Sequence, residues 1–237
     1  MEDIQNQLVS YANDAKISVT KAQAKSFQQY MEILVEWNQK MNLTTITEPQ
    51  EVLVKHFLDS ILLLKYVEIA DGASLIDVGT GAGFPGLPLK ILRPNLKLTL
   101  LDGVNKRLIF LEDVTKRLGI HVELVHARAE EGSHQIQYRG HFDFATARAV
   151  APLNVLCEYC LPYIKMGGTF IAMKGPQLGD ELNAAKSAIQ LLGCELSSVE
   201  EFALPNGDGR SLVLIKRTKI LSPLYPRHGA KISKKPL

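Results

Sequence analysis

The sequence predicts an α/β fold: a mostly parallel sheet of about seven strands, closed by an antiparallel terminal hairpin and preceded by a helical cap. Three observations carry that prediction. From residue 73 onward, short β-rich runs alternate with helical stretches, the pattern of a parallel sheet with helices on both faces. Near the end, "PNGDG" separates two extended segments and has the composition of a hairpin turn. The first seventy residues instead carry their apolar side chains at helical spacing.

The elements follow in order. Thr20 with Gln23 makes a capping-box pattern ahead of "KAQAKSFQQYMEILVEWNQKM". Thr47 with Gln50 repeats that pattern, with Pro49 in the first turn, ahead of "EVLVKHFLDSILLLKYV". Between them, "NLTTIT" reads as a turn or short extended link. Strand and helix then alternate: "SLIDVG" and a helix near 86–92, "KLTLLD" and "NKRLIFLEDVTKRLG", "VELVHA" and a loop. "FDFATA" precedes "APLNVLCEYCLPYIK", and "GTFIAMKG" precedes "LGDELNAAKSAIQLLG". "CELSSVEEFAL" and "SLVLIKR" complete the hairpin. The division expected is a cap over residues 1–70, a sheet domain over 71–217 and a basic tail over 218–237.

Composition narrows the setting. No apolar run approaches the roughly 18 residues a membrane span needs. The start, "MEDIQNQLVS", is acidic and polar, unlike a signal peptide. With only three cysteines, the expectation is a reduced, cytoplasmic protein. Cys157 and Cys160 lie one turn apart in an apolar helix and read as buried thiols; further ligands are missing nearby, so no metal is expected. Nothing in the sequence demands more than a monomer. Charge is unevenly placed. Residues 1–70 carry a net −3 and 71–215 a net −2, whereas the last 22 hold seven basic and no acidic side chains. Such a tail suits contact with phosphates.

"LIDVGTGAGFPG" contains both G-x-G-x-G and G-x-G-x-x-G, either of which lets backbone approach a ligand at a helix start. The glycines alone fit a dinucleotide or S-adenosylmethionine. Asp77 ahead of them gives D-x-G-x-G-x-G, the arrangement of methyltransferases, and residues 150–216 are used completing the sheet, leaving no second substrate domain. S-adenosylmethionine is therefore the expected cofactor, on a class I, Rossmann-like methyltransferase sheet.

Ligands of open α/β sheets sit beyond the carboxyl ends of the strands. Those ends present Gly79, Gly81 and Phe84, then Asp102 and Gly103, then Ala129 and Glu130, then Arg148, then Lys174. Asp102 can hold ribose hydroxyls and Glu130 an adenine amino group. The fourth strand lacks the N/D-P-P-Y/F of many exocyclic-amine methyltransferases and reads Ala145-Thr146-Ala147-Arg148. An acceptor that needs no deprotonation, such as guanine N7, fits that absence.

Taken together, "MNLTTI", "HFLDS", "DVGTGAGFPG", "NKRLIFLE", "ARAE", "ARAVAPL", "MKG" and "PRHGAKISKKPL" resemble the family of ribosomal RNA small subunit methyltransferase G, also called glucose-inhibited division protein B. The resemblance runs from about residue 27 to the C-terminus. It implies methylation of guanine N7 in small-subunit ribosomal RNA near the decoding centre, with free RNA or the 30S subunit as partner. It places cofactor contacts at Gly79, Phe84, Asp102, Gly103, Ala129, Glu130 and Arg148. Family members often have serine or alanine where Gly103 stands, which removes a side-chain contact here but leaves a backbone one. The resemblance also marks Asn42, His56, Asp59 and Ser60, of which His56 and Ser60 share a helix face. Asn42, His56, Arg148 and Lys174 are the expected acceptor-site residues, although such groups also cap helices or satisfy buried polar atoms. Arg227, Lys231, Lys234 and Lys235 are the expected phosphate contacts. Two competing readings are a methyltransferase for small molecules or proteins, disfavoured by the basic tail and the missing lid insertions, and an RNA-binding module on a vestigial fold, disfavoured by the intact glycine loop and Asp102.

Overall fold

The computed structural model describes residues 2–176 and 178–237. Its sheet has the order β3-β2-β1-β4-β5-β7-β6. The strands are β1 (Ser74–Val78), β2 (Lys97–Asp102), β3 (Glu123–His126), β4 (Phe142–Arg148), β5 (Ile164–Lys174), β6 (Cys194–Ala203) and β7 (Gly209–Arg217). The first five run parallel, and β7 enters antiparallel between β5 and β6. Strand order therefore reverses between β1 and β4, the switch point at which open α/β sheets form a ligand crevice. Register aligns the functional ends: Val78 stands beside Leu101, Asp102 beside His126 and Arg148 beside Met173.

Alternating strand residues feed two cores. Leu75 and Leu100 face one side and pack with Leu87, Phe110 and Leu111. Ile76, Val78, Ala145 and Phe170 face the other, with Leu156, Cys157, Cys160 and Ile189. The helices that cover the sheet are α5 (Gly86–Leu92), α6 (Asn105–Leu118), α8 (Leu153–Cys160) and α9 (Gly179–Leu191). The three cysteines are buried free thiols, and burial pushes that of Cys194 up to about 12.

The cap belongs to the first of these cores. α1 (Glu2–Asp14) and α2 (Lys21–Asn38) contribute Leu8, Phe27, Tyr30 and Leu34 to the cluster that holds Leu75 and Leu100. The Thr20–Gln23 capping box forms, and the Gln23 amide reaches on to the carbonyls of Ile91 and Leu92 at the end of α5. Trp37 Nε1 donates to Asp113 on α6 at 2.8 Å. The second expected box does not form. Helix α3 (Pro49–Val52) starts at Pro49 with Glu48 as its cap residue and no side-chain capping bond. Pro49 at the first helical position leaves Thr47 one residue too early, and Gln50 sits second rather than third. The expected single helix beyond it is also interrupted. Leu53–Leu58 adopts a π-helical turn, followed by α4 (Asp59–Ile61) and a 3₁₀ turn at Leu62–Lys65.

The stretch after β3, expected as a loop, opens with the short helix α7 (Ala129–Gly132). The tail ends in α10 (Gly229–Lys234). Arg227 fixes it: Nε and Nη2 donate to the buried Glu158 carboxylate of α8 at 2.8 and 2.7 Å, and the Arg227 backbone N–H adds a third bond at 2.7 Å. No helix among the described residues is long and apolar enough to cross a membrane.

Candidate active site

Asp77, fully buried at the end of β1, organises the glycine loop. Its Oδ2 accepts from Thr80 Oγ1 at 2.7 Å and from the Gly86 N–H at 2.9 Å. Burial pushes its carboxyl up to about 6, although both donors favour the ionised form. Two glycines show what the loop requires. Gly83 has φ +93°, and a methyl there would lie 2.5 Å from Tyr30 Oη and 2.8 Å from Leu87. Gly81 has φ +61°, but a methyl there would meet nothing within 4 Å. Gly83 is thus glycine for the core and Gly81 for the open side.

That open side is a cavity of about 480 Å³. Its lining includes all eight positions expected to hold cofactor: Gly79, Gly81, Phe84, Asp102, Gly103, Ala129, Glu130 and Arg148. Asp102 Oδ2 accepts from the Gly81 N–H at 2.9 Å, and Oδ1 from the Val104 N–H at 2.8 Å. The remaining contact comes from the half-exposed Arg107 at 3.3 Å. The Phe84 ring is held by the cap. It stacks on Tyr30 and His56 at centroid distances of 5.4 and 4.6 Å, and the Arg148 guanidinium lies 5.0 Å above it. Thr44, Arg107, Arg128 and Tyr159 also line this cavity; sequence reasoning missed them, though Thr44 lies inside the quoted "MNLTTI".

A second cavity of about 340 Å³ is lined by Lys55, Asp59, Met173, Lys174 and Arg210, and shares His56, Arg148 and Ala149 with the first. Arg148 is the hinge of this arrangement. Its Nη1 donates to the Lys55 carbonyl at 3.1 Å and to Asp59 Oδ2 at 3.0 Å, and its Nη2 meets His56 Nδ1 at 3.3 Å. Asp59 Oδ1 accepts from Arg210 Nε at 3.1 Å. Burial raises the Asp59 carboxyl, and the two arginines pull it back down. Arg210, beside the hairpin turn, carried no sequence signal. Burial and the neighbouring Arg148 push His56 down to about 3, so its ring is neutral.

Three expected contacts sit differently. Lys174 lines the second cavity, but its Nζ is engaged by Glu181 of α9 at 2.6 Å and by the Ala151 carbonyl at 3.0 Å, so its charge is answered within the chain. Asn42 is exposed and lines neither cavity. Asn38 Oδ1 accepts from the backbone N–H groups of Leu43 and Thr44 at 2.8 and 3.0 Å, which turns those two residues inward instead. Arg227 is withdrawn from the surface by Glu158, leaving Lys231, Lys234 and Lys235 as the exposed cations of α10 and its end. That helix starts against the cavity, where Gly229 abuts the Glu130 carboxylate.

A model of the family described as rRNA small subunit methyltransferase G matches residues 23–212. The chain belongs to that family. Relatives with that description include one from Desulforamulus reducens, 44% identical over 239 residues and covering all of both chains. One from Alkaliphilus metalliredigens is 50% identical over 217 residues, 91% of each chain. The sheet is shared more widely. A methyltransferase from Pyrococcus furiosus superposes with a TM-score of 0.54 at 18% identity, covering 68% of this chain and 83% of that one. TrmN from Thermus thermophilus gives 0.52 at 17% identity, over 70% and 53%. The family match contains the lining of both cavities, from Leu43 to Arg210 on β7. Among the described residues, no group of three or more His, Cys, Asp or Glu is arranged to hold a metal ion.

Proposed function

We propose that this chain uses S-adenosylmethionine in the larger cavity to methylate N7 of one guanine in small-subunit ribosomal RNA near the decoding centre. The observation that carries the reading is the meeting of two cavities at Arg148, one floored by glycines and edged by Asp102 and Glu130, the other built for a polar ligand. The cofactor supplies a sulfonium-bound methyl group. The N7 lone pair forms the new C–N bond as the S–C bond breaks, and the positive charge passes from sulfur to the purine.

No proton leaves in that step, and the site is arranged accordingly. His56 is neutral, and its Nδ1 lone pair is occupied by Arg148. Lys174 is paired with Glu181. Neither stands ready as a base. The protein's work is orientation and the offsetting of developing charge, for which the Asp59 carboxylate lies in the second cavity. Gly79, Gly81 and Gly103 allow close backbone approach, Asp102 receives the ribose hydroxyls, and Ala129 with Glu130 flanks the adenine. Lys231, Lys234 and Lys235 add sequence-independent attraction to phosphates. A loop guanine exposes edges that an A-form helix hides.

The test is transfer of labelled methyl from S-adenosylmethionine to small ribosomal subunits, to free small-subunit RNA and to protein extract, followed by mapping of the modified atom. Label at one guanine N7 is expected. Label in protein with none in RNA would overturn the reading.

A further inference from the structure

We propose that the smaller cavity is a guanine pocket in which Asp59 reads the Watson–Crick edge of the acceptor base. This rests on the guanine-N7 reading above and states how the base is held.

Charge accounting decides what kind of ligand fits. The cavity is lined by four cations, Lys55, Arg148, Lys174 and Arg210, which alone would suit a phosphate. Each is already paired. Lys55 meets Glu51 at 2.6 Å, Lys174 meets Glu181 at 2.6 Å, Arg148 and Arg210 share Asp59, and Arg210 also lies 3.8 Å from Asp208, so four carboxylates face the four cations. The result is a hydrogen-bonding pocket with its charges answered, suited to a neutral polar base rather than a free anion.

The donor and acceptor pattern then selects guanine. Asp59 is the carboxylate among the lining residues, and each of its oxygens accepts one arginine donor. A carboxylate offers about four acceptor sites, so each oxygen keeps one. Guanine N1–H and its 2-amino group are adjacent donors that match this pair, and O6 beside them is an acceptor. Arg210 gives its Nε–H to Asp59 Oδ1 and an Nη1 hydrogen to the Gly209 carbonyl, which leaves an Nη2–H on the same edge as Nε, beside the carboxylate. Acceptor, acceptor, donor thus faces donor, donor, acceptor. Adenine would turn its N1 lone pair toward the carboxylate and be rejected.

A base gripped by N1 and the 2-amino group leaves N7 uncovered, on the side away from Asp59. His56, Arg148 and Ala149 line both cavities and so stand where base and methyl donor would meet. Base-modifying enzymes commonly read an extruded base by its Watson–Crick edge.

The experiment uses the wild-type protein and small-subunit RNA in which the methylated guanine, once mapped, is replaced by inosine or by 7-deazaguanine. Inosine lacks only the 2-amino group, and its single-turnover transfer rate is expected to fall about 10- to 100-fold, with RNA binding nearly unchanged. Transfer to inosine at the guanine rate would overturn the pocket and leave the N7 chemistry standing. 7-Deazaguanine is expected to accept nothing, and transfer to it would overturn the N7 reading itself. Asp59→Asn, checked for folding by its melting curve, is expected to bring the guanine-to-inosine rate ratio close to one. A folded variant that keeps the full ratio would also overturn the pocket.

Discussion

Nη2 of Arg148 lies 3.3 Å from Nδ1 of His56. A guanidinium has no acceptor, so the lone pair belongs to Nδ1 and the ring proton to Nε2, which points to Thr44 Oγ1 at 2.9 Å. Thr44 Oγ1 also accepts from the Ile46 N–H at 3.0 Å, so its own hydroxyl hydrogen is left for the larger cavity that it lines. One contact thereby sets the tautomer of a histidine and the orientation of a threonine.

The first prediction concerns pH. His56 is pushed from an ordinary 6.5 to about 3. Below about pH 6.5 the unfolded chain binds a proton that the folded protein refuses, so this group lowers stability by about 1.4 kcal/mol per pH unit down to about pH 3. Asp77, raised from 3.8 to about 6, acts in the opposite sense: the folded protein takes up its proton first, and stability returns as pH falls through 6. The two oppose each other, so the wild-type profile alone is uninformative. Subtracting the profile of His56→Gln, by denaturant titration at several pH values, should expose the histidine slope. A flat difference between about pH 4 and 6 would sink the assignment.

Arg148 serves the site and the fold together. Arg148→Ala strips a donor from a buried carboxylate, which costs about 3 to 5 kcal/mol. Methyl transfer should be abolished and the melting temperature lowered. Arg148→Lys should recover much of the stability, through its charge beside Asp59, without recovering transfer, because an ammonium cannot span Asp59, His56 and the Lys55 carbonyl at once. Normal turnover in the lysine variant, measured with labelled cofactor, would remove the guanidinium geometry from the mechanism.

The two glycines should separate cleanly. Gly83→Ala places a methyl against Tyr30 and Leu87 at positive φ, and should cost about 2 to 5 kcal/mol. Gly81→Ala should cost only about 1 to 2 kcal/mol of backbone strain but weaken S-adenosylmethionine binding, because its methyl enters the cavity. Melting curves and cofactor titration calorimetry distinguish them. Equal cofactor affinity in Gly81→Ala and wild type would refute the loop's placement under the ligand.

The tail lysines and Arg227 should also part ways. Replacing Lys231, Lys234 and Lys235 with Gln should reduce the log–log salt slope of RNA binding by about 2 and leave the melting temperature nearly unchanged. Arg227→Ala leaves the Glu158 carboxylate buried and unpaired, and should destabilise by about 3 to 5 kcal/mol. An unchanged slope in the triple variant would refute the tail's part in RNA binding.

Much of the architecture was legible because it is local. A short apolar run at Leu75, Ile76 and Val78, glycines after a strand, and a turn before Arg210 are short-range signals. Residues at strand ends were legible as a set because parallel register brings those ends to one edge. What escaped was pairing between distant segments. Nothing around Lys174 reveals Glu181 as its partner, nothing around Arg227 points to Glu158, and Arg210 meets Asp59 across 151 positions. Thr47 failed as a cap for a local reason, since Pro49 fixed the helix start. Asn42 stands two residues before Thr44, a distinction set by Asn38 and invisible to a motif.

The core under the cap joins Leu8 and Phe27 to Leu75, Leu100 and Leu214. A ribosome makes those residues in that order, so the apolar face of the first two helices emerges before any strand exists to cover it. The edge of β5 must also stay open while β6 is made, because β7 inserts between them. The nascent chain therefore carries an uncovered cap until β1, β2 and their helices emerge, and an unfinished sheet until β7 does, so exposure to chaperones and to aggregation starts with the part that is synthesised first.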